Sequence, residues 1–159
     1  PQTFIMPVNI AKLNRTCEEY CGQLRNKVVL QRKFPKQGNP YWDYPTVASV
    51  CQSDRFNCTC KNHSRPMRSC NNLLLHEIQN YGNLGEPATR NRPLYNGSPN
   101  YPLGNCAEQH AANDVLNALD KKNCPKSLND LYFSRARYVR DSRELDACVN
   151  CRTILPNAQ

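Results

Sequence analysis

The chain has 159 residues, with 21 Lys and Arg against 13 Asp and Glu, giving a formal net charge of +8. A hydrophobic share of 39% and a mean hydropathy of −0.75 allow one core but not two good ones, and no apolar run is long enough to span a membrane. Ten cysteines are expected to compensate for the thin core, through covalent staples or a metal.

The expected organisation is a single α/β domain over 1–159, cysteine-rich in its N-terminal part, 1–70. It begins PQTFIMPVNIAK, without a basic segment leading into an apolar one, so any signal peptide is expected to have been removed. A helix is predicted over 14–33, capped by Asn14 or Thr16, with Glu18 and Glu19 at the positive end of its dipole. Pro35 and Pro40 end it, and QGNPYWDYP reads as a turn-rich link. Thr46–Gln52 is β-like and short, and Arg55–Arg68 is polar and expected to be irregular.

Leu74, Leu75, Ile78 and Tyr81 recur at helical spacing and predict a second helix over Cys70–Tyr81. Next come 24 residues, 82–105, with four prolines and four glycines, a loop length that usually marks function or disorder. A third helix runs from Cys106 to about Lys122, its apolar face made of Ala107, Ala111, Ala112, Val115, Leu116 and Leu119, and Asn123 and Pro125 close it. Leu131–Val139 predicts a strand, and Asp146 is placed to cap a short last helix holding Cys148 and Cys151.

Cysteine density and four glycosylation-type triplets, at Asn14, Asn57, Asn62 and Asn96, point to a secreted glycoprotein. Cys17, Cys21, Cys51, Cys58, Cys60 and Cys70 are candidates for three disulfides that brace the N-terminal part. The positive charge favours polyanionic partners, nucleic acid first, and equally suits a merely soluble basic surface.

Chemistry is most concentrated in GNCAEQHAA, 104–112. Cys106, Cys148 and Cys151 can supply three ligands to a catalytic zinc, because helix N-termini stabilise thiolates and Cys-x-x-Cys places two sulfurs on one turn. Such a site turns water into a nucleophile near neutral pH, and Glu108 lies where a carboxylate can move protons. Cys106-Ala107-Glu108, then helix, strand and Cys148-Val149-Asn150-Cys151, resembles the zinc-dependent nucleobase deaminase superfamily, and its Cys-Ala-Glu form is similar to that of secreted toxin-type deaminases. The resemblance covers about Asn105 to Leu155. It implies a three-layer α/β sandwich with zinc at two neighbouring helix N-termini. It also implies attack of hydroxide on C4 of cytosine or C6 of adenine, with Glu108 as acid and base. The signature has proline where Ala147 stands, and only eight residues follow Cys151, so upstream strands are expected to complete a sheet shortened at its C-terminal end.

Other readings of the same residues stay open. With Asn105 as N-cap, Glu108 falls at N3 of a capping box. Five disulfides would use all ten cysteines in a non-enzymatic secreted binding protein, whereas three zinc ligands leave one thiol over. Asn105 and His110 are candidates for substrate contact, and His110 also fits a packing role. The pair His76-Glu77 suits ordinary helix surface, since adjacent helical residues diverge. Tyr132 and Tyr138 share one strand face, with Phe133, Arg135 and Arg137 on the other. These tyrosines and arginines can stack on bases, or pack and be solvated.

Overall fold

A computed structural model of the chain describes residues 8–33, 45–65, 67, 69–81 and 106–159. Helix α1 spans Ile10–Lys33. It starts one turn earlier than the sequence suggests, because Asn9 caps it: the Lys12 N–H donates to Asn9 Oδ1 at 3.1 Å. Asn14 and Thr16 therefore lie inside the helix. Strand β1, Val47–Ser53, is followed by β2, Thr59–His63, in a segment that composition alone reads as irregular. Pairing explains β2. Its residues lie antiparallel to β1 in the register Cys51↔Cys60, and β1 supplies the ladder that a polar strand cannot supply for itself.

Helix α2 spans Asn72–Tyr81 and α3 spans Ala107–Lys121. Asn123 closes α3 in the left-handed conformation, φ 51, which asparagine tolerates better than most residues. The predicted strand 131–139 is two strands, β3 (Leu131–Phe133) and β4 (Ala136–Tyr138), both antiparallel to β1. β5, Glu144–Leu145, adds to β4, and α4, Val149–Ile154, ends the order.

The break between β3 and β4 is a β-bulge. Phe133 pairs with Cys51 and Arg137 with Ala48, so β1 moves three residues while its partner moves four. Ser134 takes both backbone groups of Val50, its N–H to the carbonyl at 2.9 Å and its Oγ from the Val50 N–H at 3.0 Å. The next residue, Arg135, gives its N–H to Asn14 Oδ1 at 2.8 Å. Asn14 thus ties α1 to the bulge.

The result is an open antiparallel sheet, β2–β1–β4–β5 with β3 also on β1, and helices on both sides. Alternation along β1 assigns the faces. Ala48 and Val50 pack with Leu13, Cys17, Cys21, Leu24 and Val139 beneath α1. Cys51 on the other face joins the larger core with Val115, Leu116, Phe133, Leu74 and Ile154 from α3, β3, α2 and α4. Burial of each large apolar side chain there contributes about 1.5–3 kcal/mol.

No two of the ten cysteines lie at disulfide-bonding distance. Of the six assigned to disulfides, Cys17 and Cys21 neighbour each other in the α1 core, while Cys51, Cys58, Cys60 and Cys70 belong to the core across the sheet. Among the glycosylation candidates, Asn14 is engaged at the bulge, and Asn62 is 7% exposed with its amide on Asp114 at 2.8 Å. Asn57 is exposed in the β1–β2 turn, and Asn96 lies outside the described residues.

Candidate metal centre

Two helix starts face each other across the end of the larger core. Cys106 is the N-cap of α3, in extended backbone conformation (φ −66, ψ 145), and its side chain makes no capping hydrogen bond. Cys148 is the N-cap of α4 (φ −66, ψ 163), and its sulfur accepts the Cys151 N–H at 3.4 Å. Cys151 lies one turn into α4 and is fully buried. The three sulfurs lie within 4.8 Å of one another, and among the described residues they are the only His, Cys, Asp and Glu set grouped so that it can hold a metal ion.

Hydrogen bonds link the three sulfurs. The Cys106 and Cys148 sulfurs are 3.5 Å apart. Cys148 is held far below the usual thiol range, first by the hydrogen bond from Cys106 and then by that from Cys151. Cys106 and Cys151 are correspondingly held up, Cys106 first by its hydrogen bond to Cys148 and Cys151 first by those to Cys106 and Cys148, with burial adding to both. Softness and geometry both suit this donor set to a thiophilic divalent ion, and two positive helix ends offset part of its charge.

With Cys106 as N-cap, Glu108 is the second residue of α3, not the third, so the capping-box reading does not describe this helix start. Glu108 is only 4% exposed, and burial pushes its carboxyl up to about 7, against backbone donation that draws it down. Cys151 hydrogen-bonds the same carboxylate. A buried carboxyl near neutrality, touching a sulfur of the cluster, can both give and take a proton at physiological pH.

Gln109 was not singled out by the sequence. It is 2% exposed, and its Nε2 donates to Cys151 Sγ at 3.4 Å. Such outer contacts orient a ligand and spread its charge. The signal available was position: a polar residue directly after Glu108, in a helix turn buried all round.

His110 stands outside the cluster. Its Nε2 meets the Arg65 carbonyl at 2.6 Å, which requires the tautomer with the proton on Nε2, and burial holds its pKa down to about 4. It clamps the segment after β2 to α3. Asn105 and the loop 82–105 lie outside the described residues.

The bulge changes the reading of the aromatic strand. Phe133 is core, Arg135 pairs with Glu144 and Asp146, and Arg137 pairs with Glu144 at 2.9 Å. These two arginines are spent within the hairpin. Tyr138 is flanked by the guanidinium groups of Arg140 and Arg143 at 5.2 and 5.1 Å. No protein-family model, curated protein or solved structure matches the chain.

Proposed function

We propose that the chain is a secreted, zinc-dependent hydrolase that removes the amino group of a nucleobase, built as a shortened three-layer deaminase-like sandwich. The observation that carries this reading is convergence: three thiols from two helix N-termini meet within 4.8 Å, with a buried carboxylate two residues after the first. Cys106, Cys148 and Cys151 are the residues that would hold the ion, three thiolates being a donor set that zinc accepts. When bound, zinc supplies the Lewis acidity that lets water act as a nucleophile near neutral pH.

The remaining work falls to the chain's own groups. Glu108 takes one proton from water and delivers it to the ring nitrogen. It then takes the second from the hydroxyl of the resulting adduct and delivers it to the leaving amine as the C–N bond breaks, a role that suits a carboxyl near 7. Gln109 and the Cys151 N–H hold the sulfurs in place. The net charge of +8 favours a base within single-stranded nucleic acid over a free nucleoside.

The test is zinc analysis of natively purified protein with a free-thiol count after denaturation in chelator, followed by ammonia release from single-stranded DNA, single-stranded RNA and free nucleosides. About one zinc per chain, at least three thiols and ammonia release are expected. Absence of both zinc and free thiols would replace the enzyme with a disulfide-rich binding protein, in which Cys106 and Cys148 would be a natural pair.

A further inference from the structure

Most cations among the described residues that meet a carboxylate do so on the β4–β5 hairpin or between α3 and the segment after it. Arg135 and Arg137 are paired on the hairpin, Arg140 leans on Asp141, and Lys126 bonds Asp120. Lys61 and Arg65 are among the exposed cations outside those pairs, as Lys12, Arg15, Lys121, Lys122 and Arg152 also are. Among the described residues, neither Lys61 nor Arg65 has a carboxylate within 4.0 Å.

They belong to one extended stretch. β2 is the edge strand, and its ladder continues past His63, since the Ser64 N–H donates to the Val47 carbonyl at 2.9 Å. Lys61, His63 and Arg65 are alternate residues of that stretch, so they repeat at about 6.6 Å along one side. This repeat is comparable with the separation of successive phosphates in an extended single strand. Tyr20 of α1 lies against the strip: the Lys61 ammonium is 5.3 Å from its ring centroid and also meets Gln23 Oε1 at 3.3 Å. Burial raises the Tyr20 phenol to about 12, and the charge of Arg65 is the largest influence opposing that rise. The Lys61 cation and the Tyr20 ring are therefore neighbours.

His110 Nε2 bonds the Arg65 carbonyl at 2.6 Å, and the His110 N–H bonds the Cys106 carbonyl at 3.1 Å. His110 thus anchors the backbone at the end of the strip to the first turn of α3, while the strip's side chains, with Lys61 opposite Val50, lie on the α1 face of the sheet.

We propose that Lys61, His63 and Arg65, with Tyr20, form a track for a single-stranded nucleic acid on the α1 face of the sheet edge, with phosphates on the cations and a base stacked on the tyrosine. A positive edge interleaved with an aromatic face is the usual means of holding an unstacked strand. The proposal rests on the deaminase reading for the substrate class it would serve, and not for binding itself.

The test is fluorescence anisotropy of a labelled single-stranded oligonucleotide across a salt series. With two phosphate contacts removed, Lys61→Gln/Arg65→Gln should flatten the slope of log K against log salt by about 1.4. Tyr20→Leu should weaken binding about tenfold. Thermal melting and zinc content, unchanged in the double variant, exclude misfolding. An unaltered slope in that variant overturns the track, as does tighter binding of a heparin-type sulfated glycan than of the oligonucleotide. Cys148→Ser separates the two proposals. If it binds the strand like the unmodified protein while neither turns over any base, the deaminase reading falls and the track stands. Turnover that survives with the salt slope unmoved by the double variant removes the track alone.

Discussion

Two sets of three cysteines lie on the same side of the sheet, and only one of them is a candidate site. Cys51, Cys58 and Cys60 sit on or beside β1 and β2, with Cys51 paired directly to Cys60. Their register places Cys51 and Cys60 at a hydrogen-bonded position, since Ser53 donates to the Cys58 carbonyl two residues along. Such pairs keep their Cα atoms about 5.5 Å apart. Sulfurs carried by one ladder are thus held at its fixed spacing, and these three do not close into a metal-sized group. Cys106, Cys148 and Cys151 come from two separate helix starts, which are free to converge. Burial raises Cys51 and pushes Cys60 up to about 12, whereas Cys148 is held down by two sulfur neighbours. The difference teaches that count and burial do not make a thiol site. Convergent helix N-termini do.

The harshest way to break the contrast is Cys148→Ser. It removes the N-cap sulfur that carries the thiolate, and zinc affinity should fall by more than about 100-fold, beyond the usual cost of losing an outer contact. Metal analysis after dialysis checks it, and retention of zinc would abolish the distinction drawn above. Glu108→Gln comes next. It should keep the metal and lower turnover by about 100- to 10,000-fold, read as kcat at saturating substrate.

Much of this is legible in the sequence alone. The third helix showed its stripe, and α1, α2, β1 and α4 were recognisable from apolar spacing and caps. The thiols and Glu108 were named from one residue spacing and an expected helix start. What escaped depends on partners distant in sequence. β2 is polar and becomes a strand only because β1 lies beside it. The bulge needs Ser134 to take both groups of Val50, which no local pattern announces. His110 reads equally as a candidate for substrate contact or as a packing residue, because the sequence is silent about Arg65, whose carbonyl meets its ring.

His110 supplies the next effect. Its folded pKa, about 4, lies below the unfolded value of about 6.5, so the unfolded chain takes up the proton first. Its contribution is fully present above about 6.5 and is lost as pH falls toward 4, by about 3 kcal/mol at most. Denaturant unfolding from pH 7 to 4 should show that loss in the unmodified protein and a flatter profile in His110→Gln. Equal slopes would mean that the clamp is not what burial makes of it.

Cys51→Ser is the matched control on the inert set. A hydroxyl in that apolar core should cost about 1–3 kcal/mol in denaturant unfolding, with zinc content unchanged. Any fall in zinc would join the two sets that the geometry separates.

The smallest effect is the sharpest. Asn14 reaches from α1 to the unpaired N–H of Arg135, the residue by which β4 falls out of step with β3. β4 leads through β5 to Cys148, so the bulge sets where the second helix start lies relative to the first. Asn14→Ala should cost about 1 kcal/mol of stability, less than Cys51→Ser. Yet it should weaken zinc binding where Cys51→Ser does not, as competition with a chromogenic chelator would measure. If affinity followed stability instead, with Cys51→Ser the weaker binder, the site would depend on the core as a whole and not on the bulge that aims it.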